Sequence, residues 1–389
     1  MRIFFYCHDF KKENLRLMPW RYLHEVAKGL MHRGHSVSFF SVDETKEERR
    51  ETIDGIDIMR GRQGEIFQDG GRFKGADCVI WSASPLTAFF RGRFARLNSP
   101  LILLYTGPLY PFSQVLQAHA QGVPFSQLAS HYKNALVPLG LTSVLVRAPF
   151  VRVAVSLSER NAGILREKGC PAGKLRVIPP GYDGVKHDAF GSITVDQMRE
   201  RLLLPKMKKI LTYFGSPYRI RGIEMLLRAF KDVCARREDI VLLILARTAD
   251  KGEAKALVRR AASLGIGRAI RVVPGFLGEG EVQSYLFASD AVVLPFILVP
   301  SDMPLGALEA MALGKPVITT DIDGMPEIVR DSGALVRGEA ELAAAISGIF
   351  SDAEDFNAKK KKCLEYSASV PTWNEITARF ENLFANAQF

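Results

Sequence analysis

Short apolar runs alternate with amphipathic segments along most of the chain. The clearest runs are at residues 3–7, 78–81, 101–105, 209–215, 240–245 and 317–320. Continuous apolar runs of this length are typical of strands that are buried on both faces of a parallel sheet. Between them, apolar residues recur three and four positions apart, as in 19–33, which predicts amphipathic helices. The alternation predicts an α/β fold with parallel sheets.

The length of the chain indicates two sheets and not one. A single hydrophobic core rarely serves more than about 250–300 residues, and this chain has 389. The content of 47% hydrophobic and 24% charged residues is that of an ordinary soluble protein. The five cysteines form no C-x-x-C pair, and charge follows the first apolar run, which is therefore interpreted as a strand and not as a secretory signal. These features predict a cytoplasmic protein with two domains.

Positive charge is concentrated in the first half of the chain. Nine of the ten net positive charges lie within residues 1–183, and no acidic residue occurs between Asp77 and Glu159. Because a basic residue near an anionic bilayer gains about 1 kcal/mol, the pattern predicts an anionic membrane surface or a lipid-linked acceptor as a partner. Nucleic acid is the disfavoured alternative, since no recognised nucleic-acid module accompanies the charge. Prolines and arginines interrupt the apolar segment 135–157, so it is not expected to span a membrane.

The segment 301–329 combines a helix start, an acid on an apolar helix and a strand. Pro304 suits the first helical turn, where unpaired amides carry partial positive charge. A phosphate or a sugar hydroxyl is therefore expected near Met303, Leu305 and Gly306. Glu309 could accept two hydrogen bonds from a ribose diol. The alternative is that Glu309 caps backbone amides of its own domain.

Two further strand ends carry candidate ligand groups. Gly215 ends the run 209–215, and Arg219 and Arg221 follow on a loop that leads into a helix. A guanidinium beside a helix start suits a diphosphate, although a solvated loop arginine is the alternative. His8 and Asp9 follow the first strand, at the edge where open α/β sheets bind ligands. A lone histidine there is more often structural.

The segment 301–329 resembles the donor-site motif of glycosyltransferase family 4. The family pattern E-A-M-A-x-G-x-P-V-I-x-x-x-x-G-G-x-P-E is matched by Glu309, Ala310, Met311, Ala312, Gly314, Pro316, Val317, Ile318, Gly324, Pro326 and Glu327. The resemblance implies the GT-B fold, in which two Rossmann-like parallel-sheet domains face each other across a cleft. It also implies retaining transfer of a sugar from a nucleotide diphosphate donor to an acceptor, with no metal ion or other cofactor. The acceptor is expected to be lipid-linked or a glycan.

The resemblance also implies roles for individual residues. Donor binding is expected of Gly215, Ser216, Arg219, Arg221, Val273, Gly275, Met303, Pro304, Leu305, Gly306 and Glu309. Arg221, Ser301 and Asp302 are the candidate catalytic residues, and Ser301 stands where the family has a glutamate that contacts the donor sugar. Thr106 and Gly107 follow the run 101–105, where the family often has a cleft histidine, and with His8 and Asp9 they are expected on the acceptor side.

Domain boundaries follow from two further matches. Residues 175–183 resemble the segment V-I-P-N-G-V-D that closes the first domain of the family, and 373–384 resemble its terminal helix. The prediction is an acceptor domain at 1–183, a donor domain at 184–371 and a helix at 372–389 that crosses back onto the first domain.

The chain departs from the family at several positions, so two alternatives stay open. Leu17-Met18 replaces a Gly-Gly pair, and Ser216 replaces a clamp arginine. A nucleotide-sugar-binding protein with lost or altered transfer activity is one alternative, and a GT-B sugar epimerase is the other. The chain has no dinucleotide, P-loop, zinc-peptidase or nucleophile-elbow motif. The resemblance implies a cytoplasmic glycosyltransferase, and the charge distribution predicts that it is peripheral at the inner membrane face.

Overall fold

The computed structural model describes residues 1–43, 49–67, 73, 75–97, 99–185, 187–299 and 301–386. Within this part of the chain, the two halves each form a sheet covered by helices on both faces. The predicted pattern of two parallel-sheet α/β domains is therefore observed.

The first sheet has eight strands, of which only one is antiparallel to its neighbour. The strands are β1 (Arg2–His8), β2 (Ser36–Val42), β3 (Arg49–Ile53), β4 (Ile56–Gly61), β5 (Cys78–Ser82), β6 (Leu101–Tyr105), β7 (Val151–Ser156) and β8 (Leu175–Val177). Their order is β3-β4-β2-β1-β5-β6-β7-β8, with β3 antiparallel to β4. The chain reverses its direction of travel across the sheet at β1, so β1 and β5 flank a switch point where ligands commonly bind.

Helices and a six-residue 3-10 segment cover the first sheet. They are α1 (Trp20–His32), the 3-10 segment Pro85–Phe90, α2 (Arg91–Phe94), α3 (Phe112–Ala120), α4 (Phe125–Ala135), α5 (Leu139–Val146) and α6 (Glu159–Glu167). A seventh helix, α7 (Val195–Arg201), follows in the segment that leads to the second sheet. Across the described residues, none of these or the later helices combines the length and apolar composition that crossing a bilayer requires.

The second sheet is entirely parallel. Its strands are β9 (Lys209–Gly215), β10 (Ile240–Ala246), β11 (Ile270–Pro274), β12 (Ala291–Leu294), β13 (Val317–Thr320) and β14 (Ala334–Val336). They are ordered β11-β10-β9-β12-β13-β14, so the switch point lies between β9 and β12. The helices are α8 (Ile223–Cys234), α9 (Lys251–Ser263), α10 (Glu279–Ala288), α11 (Leu305–Ala312), α12 (Met325–Val329), α13 (Glu339–Gly348), α14 (Ala353–Ser369) and α15 (Trp373–Asn386).

The last helix packs on the first half of the chain. Tyr22 of α1 contacts the ring of Phe380 with centroids 6.0 Å apart, and Arg33 Nη1 lies 2.8 Å from Glu381 Oε2. The chain passes between the halves twice, and the two connecting segments are adjacent. The amide of Tyr182 in the first segment donates to Pro371 O in the second at 2.9 Å. One hydrophobic cluster includes buried residues of both sheets, so the halves are packed together and not merely tethered.

Candidate active site

The strand ends at the switch point of the second sheet form the centre of the candidate site. Gly215 ends β9 with a φ of 135°, a conformation that favours glycine. The loop then reaches Gly222, which has a φ of 78° and packs so closely that an added Cβ would lie 1.6 Å from Pro295 O. These two glycines fix the path of the intervening loop, and Arg219–Arg221 forms a 3-10 turn within it.

Two guanidinium groups converge at the ends of β9 and β10. Arg221 Nη1 would lie 3.1 Å from a Cβ added at Gly215, and the Arg221 guanidinium lies 5.8 Å from the centroid of Phe296. Arg247 Nη2 donates to Ser216 Oγ at 3.2 Å. Burial, with the charge of Arg221 as a second cause, lowers the pKa of Arg247. Within the described chain neither guanidinium forms a salt bridge with a carboxylate, so the pair is suited to a polyanion.

Arg247 is a residue that the sequence analysis missed. It lies one position after β10, and its amide donates to Gly215 O at 2.9 Å, which places it beside the predicted loop. The available signal was a basic residue at the carboxyl end of a buried strand, because such ends share one edge of a parallel sheet. The strand order that places Arg247 beside Arg221 could not be predicted from the sequence.

The other loop residues have different partners. Ser216 is buried, and its carbonyl oxygen accepts from the Tyr213 hydroxyl at 2.7 Å. The exposed Arg219 donates to Gly122 O of the first half at 3.2 Å, and the next amide, of Ile220, donates to Gln127 Oε1 at 3.1 Å. Arg219 therefore holds the loop against the segment of α3 and α4, and it is Arg247 that accompanies Arg221.

Glu309 is half-buried on α11 and forms no hydrogen bond or salt bridge with the described residues. Burial, together with repulsion from Glu279, raises its pKa to about 7, and the nearby Arg21 partly offsets this. The carboxyl group does not cap a helix of its own domain, which was the alternative considered from the sequence. It is free to accept hydrogen bonds from a ligand.

The start of α11 is more crowded than the sequence suggested. Pro304 caps the helix without a side-chain hydrogen bond, and Met303 is buried. The α-carbon of Gly306 faces the Phe214 ring, because an added Cβ would lie 3.0 Å from Phe214 Cζ. Leu305 is half-buried and packs against the hydrophobic cluster shared by the two halves. The small size of Gly306 thus makes room for an aromatic ring of β9.

Ser301 and Asp302 are buried against the first half of the molecule. Ser301 Oγ and the Asp302 amide both lie 3.0 Å from Thr106 O, to which they donate. Both carboxylate oxygens of Asp302 are buried, and the side chains of Ser158 and Asn161 are close enough to lower its pKa in part. Burial raises the Asp302 pKa to about 7. In this closed arrangement, the two residues predicted to face the donor sugar are covered by the end of β6.

Further acids line the same contact between the halves. The Tyr110 hydroxyl donates to Asp323 and accepts from the Val299 amide at 2.7 Å. Burial raises the Asp323 pKa to about 6. Glu327 accepts from two amides at the start of α6, those of Glu159 at 3.0 Å and Arg160 at 2.8 Å. The contact therefore contains three carboxyl groups of the segment 301–329: those of Asp302, Asp323 and Glu327.

The remaining predicted residues lie at three separate strand ends. Val273 is in β11, and Gly275 is the first residue after this strand. The Gly275 amide donates to Ala246 O at 3.0 Å. His8 ends β1, where its carbonyl oxygen accepts from Trp20 Nε1 at 2.7 Å, and Asp9 pairs with Lys11 at 3.2 Å. Gly107 follows β6 and lines a cavity of about 240 Å³.

A larger cavity, of about 480 Å³, lies away from these strand ends. It is lined by parts of β7, β8 and α15, with Arg152, Lys174, Arg176 and Arg379 among its residues. Lys174 Nζ donates to three carbonyl oxygens, including Val151 O at 2.6 Å, so this lysine has a structural role.

Part of the chain is similar in sequence to known sugar transferases. Residues 208–352 match the family model described as Glycosyl transferases group 1. D-inositol 3-phosphate glycosyltransferase 1 of Catenulispora acidiphila is 27% identical over 296 residues, which cover 70% of this chain and 69% of that relative. The corresponding enzyme of Corynebacterium urealyticum is 28% identical over 228 residues, 56% of this chain and 53% of the relative. The matched region thus spans 69% of the first relative and 53% of the second.

Solved structures share the fold over the whole chain. Sucrose-phosphate synthase from Thermosynechococcus elongatus has a TM-score of 0.71 at 20% identity, covering 99% of this chain and 98% of that one. WaaG, a glycosyltransferase involved in lipopolysaccharide biosynthesis, has a TM-score of 0.68 at 15% identity, covering 99% and 100%. Anabaena HepE in complex with UDP has a TM-score of 0.72 at 15% identity, with the same coverage. The predicted GT-B fold is confirmed.

Proposed function

We propose that this protein is a retaining glycosyltransferase that takes its sugar from a nucleotide diphosphate donor. The observation that carries the proposal is the pair of guanidiniums, Arg221 and Arg247, which lie at the ends of β9 and β10, beside the switch point, without a carboxylate partner among the described residues. The match of residues 208–352 to the Glycosyl transferases group 1 family supports it, as does the fold shared with a UDP complex.

The two arginines would act on the diphosphate leaving group. Negative charge develops on that group as the bond to the sugar breaks, and fixed guanidiniums stabilise the charge without reorganising. Glu309 would accept hydrogen bonds from the ribose, and backbone near Val273 and Gly275 would border the base. We assign the donor sugar to the region of Ser301 and Asp302, which requires that their contact with Thr106 open before the donor enters.

Titration calorimetry with UDP, GDP, ADP and CDP tests donor binding. We expect one of these nucleotides to bind at micromolar concentration, and to bind at least tenfold more weakly when Arg247 is replaced by Gln. A radiolabelled sugar nucleotide of the preferred base then tests transfer. Failure of every nucleotide to bind would refute the proposal, and binding without transfer to any glycan or lipid acceptor would favour the nucleotide-sugar-binding alternative.

We also propose that the protein binds anionic membranes through an apolar–basic face of its first half. This face consists of exposed side chains within residues 85–94 and 112–146. Its apolar members are Phe89, Phe112, Leu116, Phe125, Leu136, Leu141 and Val144, and its basic members are Arg91, Arg93 and Lys133. Phe112 and Phe125 both contact the Tyr132 ring, with centroids 5.7 Å apart in each case. Exposed apolar side chains beside cations suit the interface of an anionic bilayer.

Sedimentation with vesicles tests this attachment. Vesicles containing phosphatidylglycerol are expected to pull down the protein at low salt, and vesicles of phosphatidylcholine alone are expected to do so much less. Phe125→Ser combined with Leu136→Ser should reduce binding. The matched control is Met207→Ser, because Met207 is 95% exposed but lies in the second half. Equal sedimentation of all variants, or none at any salt concentration, contradicts the proposal.

A further inference from the structure

The cavity of about 480 Å³ lies between the edge of the first sheet and the last helix of the chain. Its lining comes from β7, from β8 with the turn before it, and from α15. Because β8 is the last strand in the order of the sheet, the cavity lies at a sheet edge and not in the contact between the halves. We call it the edge cavity.

A β-bulge determines the position of Arg152 in the edge cavity. Leu101 of β6 pairs with Val151 of β7. The next pair is Ile102 with Val153, so Arg152 is an extra residue in β7. Bulges commonly change the direction of a side chain. Arg152 is exposed and lines the cavity, between two buried valines that line it as well.

Residue spacing places two more arginines around the same cavity. Alternate residues of an extended segment share a face, so Arg176 lies on the same face as Ile178. On α15, Arg379 lies one turn before Leu383, and residues four apart share a helix face. Ile178 and Leu383 are buried, and both line the cavity. The arginines therefore stand beside apolar side chains.

The edge cavity is positively charged. Its basic residues are Arg152, Lys174, Arg176 and Arg379, and neither Asp nor Glu occurs in its lining. None of the three arginines forms a salt bridge with a carboxylate of the described residues. Burial and, second to it, the charge of Arg152 lower the pKa of Lys174, so these cations repel each other. An anion in the cavity would relieve this repulsion.

Two acids of α15 are close to Arg379 in sequence but have other partners. Glu375 accepts from the Thr372 amide at 2.7 Å and from the Thr372 hydroxyl at 2.9 Å. These hydrogen bonds are the main causes that lower the Glu375 pKa, and the charge of Arg379 contributes least. Glu381 lies 2.8 Å from Arg33 Nη1. Neither acid neutralises the edge cavity.

The shape and the charge of the edge cavity favour one class of ligand. Guanidinium groups are suited to phosphate oxygens, which they bind through paired N–H donors. The volume lies within the roughly 300–1,000 Å³ that is usual for small-molecule sites, so it exceeds what a bare phosphate ion would fill. The buried apolar side chains suit the carbon part of a ligand.

We propose that the edge cavity binds an organic phosphate at a site separate from the donor site. Arg152, Arg176 and Arg379 donate hydrogen bonds to the phosphate oxygens, and the carbon part of the ligand contacts Ile178 and Leu383. No covalent bond forms or breaks there. Because the arginines come from both the sheet and α15, the ligand fastens α15 to the first sheet. The proposal does not depend on the proposed transferase activity.

The phosphate can belong to a soluble ester or to a phospholipid headgroup. Lys174 Nζ donates to Val146 O at 3.2 Å, at the end of α5. The exposed Leu141 and Val144 of α5 belong to the apolar–basic face. The cavity therefore adjoins the face that we assign to the membrane, where headgroups are available. A soluble ester needs no membrane.

Saturation-transfer NMR titrations test the site with glycerol 3-phosphate and ribose 5-phosphate. We expect at least one ester to bind, and glycerol and ribose to give at most a tenth of its signal. Arg152→Gln combined with Arg379→Gln should weaken binding at least tenfold. Neither side chain hydrogen-bonds a described residue, so the fold should remain intact. The matched control is Arg236→Gln combined with Arg259→Gln, which removes two exposed arginines of the second half.

A short-chain lipid distinguishes the two sources of phosphate. Dihexanoyl phosphatidic acid, kept below its micelle concentration, is titrated in the same way. Tighter binding of this lipid than of either ester identifies a headgroup, and the opposite order identifies a soluble ester. The bound ligand should also raise the melting temperature of wild type but not of the Arg152/Arg379 variant. If neither esters nor lipid bind, or if both double variants bind equally, the inference is overturned.

A further variant separates the edge cavity from the donor site. Arg221→Gln combined with Arg247→Gln should abolish nucleotide binding and leave binding of the organic phosphate unchanged. Loss of the organic phosphate in this variant, with retention in the Arg152/Arg379 variant, would place it in the donor site and overturn the inference. If no nucleotide binds wild type while the organic phosphate binds through Arg152 and Arg379, the proposed function fails but the edge cavity remains a site.

Discussion

At the scale of single residues, the candidate site depends on charges without ion-pair partners in the described part of the chain. Among these residues, Arg221 and Arg247 lie near each other without a carboxylate partner, and Glu309 lies on an apolar helix without a hydrogen bond. Charges that are partly buried without an ion-pair partner cost stability, because each loses hydration that is only partly replaced. Residues of this kind are commonly found where a ligand binds.

The sequence assigns donor binding to Arg219, whereas the structure places Arg247 beside Arg221. Arg247→Gln should weaken nucleoside diphosphate binding by about 1.5–3 kcal/mol, the usual contribution of a charge-assisted hydrogen bond. Arg219→Gln should weaken it by less than about 0.5 kcal/mol, because this exposed side chain contacts Gly122 O. Calorimetry on both variants measures the difference. A larger effect of Arg219 would restore the role that the sequence gave it.

Glu309 is expected to act through the ribose hydroxyls. Glu309→Ala should weaken nucleoside diphosphate binding by about 1–3 kcal/mol. Wild type should lose a similar amount when the 2′,3′-dideoxynucleotide replaces the ribonucleotide, whereas the variant should lose almost nothing. Binding constants for the four combinations give the coupling between residue and hydroxyls. Additive losses would show that Glu309 acts elsewhere.

At the scale of elements, glycine positions and helix starts fix how the site is assembled. The loop between β9 and α8 docks on the segment after β12, because Gly222 has no side chain to collide with Pro295 O. Across the two halves, the Glu327 carboxylate of α12 accepts from two amides at the start of α6. A carboxylate there also suits the positive end of the helix dipole. The packing at Gly222 and the hydrogen bonds of Glu327 each order a backbone segment next to the site.

Gly222→Ala should disrupt the loop that carries Arg221. Both the left-handed φ and the collision with Pro295 O oppose a side chain, so we expect destabilisation of at least about 2 kcal/mol. Gly280→Ala in α10 is the control, since an added Cβ there meets nothing within 4 Å, and it should be neutral or stabilising by up to about 1 kcal/mol. Chemical denaturation measures both. Similar stabilities for the two variants would mean that the loop adapts.

At the scale of the whole molecule, the contact between the halves contains carboxyl groups whose pKa values are raised above those of an unfolded chain. Burial raises the pKa of Asp302 to about 7 and that of Asp323 to about 6. Between about pH 4 and pH 7 the folded protein retains protons that an unfolded chain releases. The free energy of unfolding should therefore fall as the pH rises through this range.

Asp302→Asn should reduce this pH dependence, because asparagine is neutral throughout. At about 1.4 kcal/mol for each tenfold change in proton affinity, Asp302 accounts for at most about 4 kcal/mol of the fall. Denaturation midpoints at pH 5 and pH 7.5 measure it, and Asp232→Asn on the exposed face of α8 is the control. The same pH dependence in Asp302→Asn and wild type would exclude Asp302 as the cause.

The sequence alone predicted the strands, the two parallel sheets and the segment around Glu309. These features follow from periodicity and from short motifs, because the spacing of apolar residues sets which face of an element is buried. The sequence also predicted Arg221 as a candidate ligand on a loop bounded by glycines, since the loop is one short stretch of chain.

The tertiary structure alone decided which side chains meet. Arg247 joins Arg221 only because β10 pairs with β9, and Ser301 and Asp302 are covered only because their segment docks on the end of β6. Arg152, Arg176 and Arg379 line one cavity for a similar reason, through the packing of α15. Local periodicity determines elements, whereas partners that are distant in sequence depend on strand order and on how the two halves pack.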